Sequence, residues 1–234
     1  MQLRSAIIAL VMVPFLAVCA LSPAHATAEK TYAKDEYAII TGGWAPNKRL
    51  SVAAHGEGEG GHDKFHVYLM AEPGHRRLAT LDDISQENNL DTAPDAYYAA
   101  WSPDSHYVAV SFRSDRHIMT LNLYVIENGR ARRIEAPDLF REATGRAVDR
   151  KTDGDMRNYF PTVEWRSPRR FRLNDSRVFV KNDKALAEKL GDLGSLTEMK
   201  DGRFQIEFAA KANVTLGRGD RYRIGKLRQG DFWQ

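Results

Sequence analysis

The sequence predicts a mainly β protein of repeat-derived antiparallel sheets, propeller-like or sandwich-like but short of a full closed propeller, with one or two short helices. Three observations carry that expectation. The segment WAPNKRLSVAAH, beginning at Trp44, reappears as WSPDSHYVAVSF, beginning at Trp101. Its continuation VYLMAEPGHRRL, from Val67, reappears as LYVIENGRARRI, from Leu123. A weaker third copy, WRSPRRFRL, opens at Trp165 with one residue inserted before Pro168. The tryptophans stand 57 and then 64 residues apart, and self-similarity at such a period marks a fold assembled from supersecondary units.

The chain opens with a removable secretory signal. Arg4 precedes Ala6 to Leu21, a run without a charge, and Ser22-Pro23 then leads into the small-x-small pattern Ala24-His25-Ala26. Cleavage is expected after Ala26, with Ala28 as second choice. A membrane span needs about 20 apolar residues, and this run is shorter and contains Pro14. Lipidation at Cys19 is disfavoured by Val18 before it, where a small residue is expected. Residues 1–26 are therefore read as signal peptide and 27–234 as one β-rich domain, with no transmembrane segment in the mature protein.

Cys19 is the only cysteine, so the processed chain can form no disulfide, thiolate metal site or cysteine nucleophile. Export without disulfides points to the bacterial periplasm. The charge is uneven along the chain: residues 27–129 hold 9 Lys+Arg against 15 Asp+Glu, and residues 130–234 hold 24 against 16. Ordinary solvated surface is the favoured reading; a basic face toward lipid headgroups or an acidic protein is the alternative. An exported protein seldom meets nucleic acid, so no nucleic-acid partner is expected.

Within a unit, Ser-Pro-Asp sets a tight turn, since Pro fixes φ and Asp bonds its own downstream backbone. Tyr107 to Val110 reads as a buried strand and Leu121 to Ile126 as its partner, with Glu127-Asn128-Gly129 closing a hairpin. Each unit is thus a strand, a connection, a second strand, a turn and a third short strand, and the tryptophan before the turn is expected to cap the unit's core. Pro137 to Ala143 reads as a short helix stopped by Gly145. Lys184 to Leu190 reads as a second, capped by Asn182-Asp183 and ended by Gly191. Arg203 to Ala209 and Arg221 to Leu227 alternate as strands, and the aromatics of Phe232-Trp233-Gln234 are expected to tie down the C-terminus.

AAWSPDSHYVAVSF followed by LNLYVIENGRARRI resembles a blade of the TolB-type β-propeller family, whose blades carry W-S-P-D-G-K-x-I-A and then I-Y-V-x-D. It departs at Ser105, where the family has Gly, and at Glu127, where it often has Asp. The likeness covers residues 97–134 well and 44–81 loosely. It implies blade-like units and an envelope assembly role, and says little about activity.

Two clusters invite a chemical reading. In HGEGEGGHDKFH, His55, Glu57, Glu59, His62, Asp63 and His66 crowd a glycine-rich stretch, but no zinc spacing is present. On a strand, His62 and His66 lie about 13 Å apart. The favoured reading is a flexible polar insertion, and Glu57, Glu59 and Asp63 are the candidate partner-binding residues. In DRKTDGDMRN, Asp149, Asp153 and Asp155 fail the spacing of a calcium loop and read as solvated. No serine elbow, serine-lysine pattern, phosphate loop or dinucleotide fingerprint is present, so no catalytic residue, metal site or cofactor is assigned. The pairs Arg76-Arg77, Arg132-Arg133 and Arg169-Arg170 read as edge-strand protection, one guanidinium per face.

The resulting expectation is a periplasmic, non-enzymatic protein-binding protein, either an inhibitor or immunity-type protein or an envelope assembly factor, with another envelope protein as partner. The alternative is a metal-dependent or carbohydrate-active envelope hydrolase. Oligomeric state is not legible in the sequence.

Overall fold

A computed structural model describes residues 27–232; the expected leader and Trp233 lie outside the described residues. The described chain is mainly β. Two four-stranded units come first: β1 (Ala38–Trp44), β2 (Leu50–Glu57), β3 (Asp63–Ala71) and β4 (Arg76–Ser85), then β5 (Tyr98–Trp101), β6 (Tyr107–Asp115), β7 (Ile118–Glu127) and β8 (Arg130–Ile134). The strand ending at the tryptophan is therefore the first of four, one more than the sequence reading assigned. Neighbours within a unit are antiparallel, but β1 and β5 pair in parallel where Thr41 faces Tyr98, a junction that an all-antiparallel expectation does not contain.

This junction joins the units into one eight-stranded sheet of order β4-β3-β2-β1-β5-β6-β7-β8. The sheet folds over until its end strands meet, and it nearly closes. Arg133 of β8 pairs with Asp83 of β4, and the Tyr124 hydroxyl donates to the Asp82 carbonyl at 2.5 Å. Arg132 turns the opposite way, toward Asp220 at 2.5 Å, as adjacent strand residues must.

The remainder forms a second sheet with three short helices: α1 (Leu139–Thr144), α2 (Arg150–Asp153), β9 (Asp155–Asn158), β10 (Thr162–Ser167), β11 (Arg170–Lys181), α3 (Ala185–Leu190), β12 (Gly194–Glu198), β13 (Phe204–Leu216), β14 (Tyr222–Ile224) and β15 (Arg228–Gln229). The long β11–β13 pair is its spine, with β9 and β10 along β11 and β12, β14 and β15 along β13. Among the described residues, no helix is long and apolar enough to cross a membrane.

Two cores stack in series. Val52, Ala54, Val67 and Leu69 of the first unit pack against Val108, Val110, Tyr124 and Ile126 of the second. The opposite face of the second unit, with Tyr107, Ala109, Leu123 and Val125, packs against Phe171, Leu173, Phe208 and Val214 of the second sheet, sealed by Leu139, Phe140, Leu186 and Leu190 of the helices. Repeat-equivalent residues such as Val67 and Leu123, or Leu69 and Val125, therefore face successive cores. Each unit turns the same face toward the next.

The expected helices form for the expected reasons. Asp138 caps α1 by accepting from the Phe140 and Arg141 amides, and Gly145 ends it in the left-handed conformation at φ 74°. Asp183 accepts from the Ala185 amide at the start of α3. The Asn128-Gly129 hairpin has φ 52° and 73° at its two central residues, the geometry Asn-Gly favours.

DRKTDGDMRN is not a solvated loop. Asp149 caps α2, and Asp153 is wholly buried, held by Arg146 through both oxygens at 2.7 and 2.5 Å with Lys181 at 3.7 Å. Burial opposes the Asp153 charge, but Arg146 and the Asp149 amide outweigh it and hold the carboxyl below the ordinary aspartate range.

Candidate functional site

The first two tryptophan turns have one backbone design. The Ala45 amide donates to the Leu50 carbonyl at 3.0 Å, and the Ser102 amide to the Tyr107 carbonyl at 2.9 Å. Lys48 and Ser105 occupy the equivalent left-handed position, at φ 57° and 61°, where the blade motif carries Gly. Ser105 uses its hydroxyl, accepting from the Asn47 amide at 3.1 Å and so tying one turn to the other. The third turn departs: β10 and β11 close over Pro168-Arg169, with Ser167 facing Arg170 and a register shift after Trp165. The inserted residue has replaced the turn rather than preserved it.

The tryptophans themselves form a relay. The Trp101 indole N–H donates to the carbonyl of Gly43, the residue before Trp44, at 3.0 Å. The Trp165 indole N–H donates to the carbonyl of Ala100, the residue before Trp101, also at 3.0 Å. Each indole thus reaches back to the preceding unit. Trp44 has no preceding unit among the described residues, and instead of capping a core it lies 46% exposed where Trp101 is 8% exposed. Lys48 stands over its ring at 5.9 Å.

The face around this end of the stack is altered to match. Where the second unit buries Val108, Val110, Phe112, Tyr124 and Ile126, the first carries Ser51, Ala53, His55, Tyr68 and Met70 at the repeat-equivalent positions. Tyr37 folds over them, edge-on to Tyr68 at 5.3 Å and against His55 at 4.8 Å. His75 donates from Nδ1 to Glu72 at 2.9 Å and from Nε2 to the Tyr37 carbonyl at 2.7 Å. The Glu72 bond, followed by the Tyr37 carbonyl, pushes the imidazole above its ordinary range. Ala53, Tyr68 and Met70 are thus buried as a small cluster under Tyr37 and Ile39, a cap of the kind a terminal repeat needs where no further unit follows.

No protein-family model, curated protein or solved structure matches this chain.

The predicted acidic residues sit at the other end of the strands. Glu57 receives Lys64 Nζ at 2.9 Å, Glu59 lies in a single 3-10 turn, and Asp63 faces Glu57 across the hairpin. All three are exposed, on a hairpin that is packed rather than flexible. Gly60 and Gly61 are buried; a methyl on Gly56 would lie 1.8 Å from the Gly61 carbonyl oxygen, and one on Gly61 would lie 2.3 Å from that of Lys30. The glycines permit close approach of backbones.

A buried polar knot fixes this end. Thr92 donates to the Gly60 carbonyl at 2.5 Å and accepts from the Lys30 amide at 3.0 Å. Asp91 accepts from the Ala28 amide at 2.7 Å and from Arg113 through two nitrogens, Nε at 2.8 Å. The Tyr32 hydroxyl donates to the Thr92 carbonyl and that of Tyr97 to the Asp91 carbonyl.

The histidines of the cluster diverge. His55 Nδ1 donates to the Glu36 carbonyl at 2.6 Å, while His62 Nε2 stands 3.3 Å from Glu29. Among the described residues, no three His, Cys, Asp or Glu side chains are grouped to hold a metal ion. Shallow grooves run between the β7–β8 hairpin and the β13–β14 turn, lined by Glu127, Arg130, Arg132, Asp220, Arg221 and Tyr222, but Asp220 already neutralises Arg132.

Proposed function

We propose that this chain is an exported, non-enzymatic protein-binding protein that engages another envelope protein through the tryptophan end of its first unit. The observation that supports this reading is Trp44: its repeat equivalents are bonded to a neighbouring unit, while it stands nearly half exposed on a turn of the same construction. A large aromatic ring on a rigid backbone costs little entropy to immobilise, and tryptophan is enriched at the energetic centres of interfaces. Blade-like units resembling the TolB type agree with this role, because the geometry supplies a stiff platform. An inhibitor or immunity-type protein, placing the ring in a cleft of its target, is the sharper form of the proposal.

The test is capture from an envelope extract with the processed protein and with Trp44→Ala. A partner retained by the first and lost by the second is expected, with a shift in tryptophan emission on binding. Equal recovery by both, or none by either, would overturn the reading.

A further inference from the structure

The outer face of the second sheet carries a charge pattern that the tryptophan end does not use. Direct strand partners project to the same side of a sheet. The register places Arg170, Thr215 and Arg223 in one row across β11, β13 and β14, with Glu164, Arg172 and Asn213 in the next. The third row is Asn174, Lys211 and Arg228. Phe171, Leu173, Ala212 and Val214 alternate with these on the other side and fill the core. Arg166 adds a sixth cation through its contact with Glu164 at 2.5 Å.

Two carboxylates answer those six cations. Glu164 is shared by Arg166 and by Arg172 at 3.7 Å, and Asp231 takes Lys211 at 3.3 Å. Arg170, Arg223 and Arg228 are exposed and have no ion-pair partner among the described residues. They lie across about two strand spacings of roughly 4.8 Å each, from β11 over β13 to β14 and β15, on an outer face whose three rows contain no apolar side chain and whose third row is crossed by the backbone at Asp231.

We propose that this face docks the protein on an anionic phospholipid leaflet. A protein partner would call for a central apolar or aromatic anchor in a desolvated pocket, and the three rows supply none. An array of guanidinium groups displayed on one side of a sheet fits the array of phosphates on a leaflet, each cation near such a surface strengthening binding about fivefold. Phe232, 36% exposed and next in the chain to Asp231 of the Lys211–Asp231 contact, adds an apolar ring of the kind that interfacial elements bury at the headgroup boundary. Because the first unit lies at the far end of the stack and residues 27–129 are net acidic, docking in this orientation keeps Trp44 away from the membrane. The inference does not depend on the protein-binding reading.

The test is co-sedimentation of the processed chain with phosphatidylglycerol–phosphatidylcholine vesicles and with pure phosphatidylcholine vesicles, at low and raised salt. Expected are binding to the anionic vesicles alone, weakening with salt, and a loss of about 100-fold in Arg170→Gln/Arg223→Gln/Arg228→Gln. Lys184→Gln/Lys189→Gln/Lys200→Gln removes the same charge from elsewhere and should lose far less. The proposal is overturned if anionic vesicles are not bound, if neutral vesicles bind equally, or if both triple variants weaken alike. It is likewise overturned if the arginine triple leaves vesicle binding intact and abolishes capture of an acidic protein.

Discussion

Trp44 and Trp101 are the same residue type in the same turn, yet they stand in opposite surroundings. Trp101→Ala is expected to cost about 3–5 kcal/mol, the range for a buried large-to-small change, and Trp44→Ala less than about 0.5 kcal/mol, as read by urea denaturation. A second prediction concerns Asp153. Its carboxyl titrates lower folded than unfolded, so its stabilisation is present above the unfolded range and disappears as pH falls through the folded one. Asp153→Asn should cost about 2 kcal/mol at neutral pH and flatten the acid limb of a stability–pH curve; an unchanged limb would contradict the ion-pair account. His75 has the opposite sign: its raised titration makes its contribution complete below the ordinary histidine range and lost as pH rises through the folded value. At this scale the sequence disclosed the turn chemistry but not the burial. Asn128-Gly129 announces its conformation, whereas nothing in DRKTDGDMRN tells that Arg146 and Lys181 will enclose one aspartate and leave its neighbours in water.

Strands and helices whose signals are local were legible in the sequence. Asp138, Gly145, Asp183 and Gly191 act on their own backbone neighbours, so α1 and α3 stand close to their expected limits. Asp138 also receives Arg177 at 2.7 Å, so Asp138→Ala should cost about 1–2 kcal/mol, measurable as a lowered melting temperature. The packing of the glycine-rich hairpin is not legible in the sequence because its meaning is not local: Gly56 and Gly61 are small for the sake of each other's backbone and that of Lys30. Gly61→Ala, at φ 68°, is expected to cost about 2–4 kcal/mol and to expose residues 27–32 to limited proteolysis. Resistance equal to the parent protein would refute the packing role assigned here. The candidate residues Glu57, Glu59 and Asp63 fall on this braced hairpin, at the opposite end of the strands from Trp44. The exposed ring is hidden in the sequence for the converse reason: its repeat partners are buried, and only the exchanges Val108 for Ser51 and Phe112 for His55 hint that the first unit ends the stack.

For the molecule as a whole, the repeat revealed the units but not the way they meet. Alternation along a strand separates two faces without saying which neighbour each will find, and the parallel contact of Thr41 with Tyr98 leaves no trace in a pattern of period two. Once the units are stacked, the lopsided charge acquires a place, because Arg170, Arg223 and Arg228 come from three strands that only the register aligns. The proposed leader bears on the knot around Asp91. Cleavage after Ala26 leaves the Ala28 amide and carbonyl to bond Asp91 and Thr92, whereas cleavage after Ala28 removes them. Intact-mass measurement of the exported protein should therefore find Thr27 first, and a product beginning at Glu29 would contradict the role given to that knot.

The clamp on Ala28 also decides how the protein can be handled. Its partners, Asp91 and Thr92, stand some sixty residues later in the chain, so this stretch must wait for the link between the two units before it can lock. Once locked, it leaves at the rim opposite the tryptophan turns. A biotin or fluorophore attached ahead of Thr27 would thus immobilise the molecule with Trp44 pointing into solution.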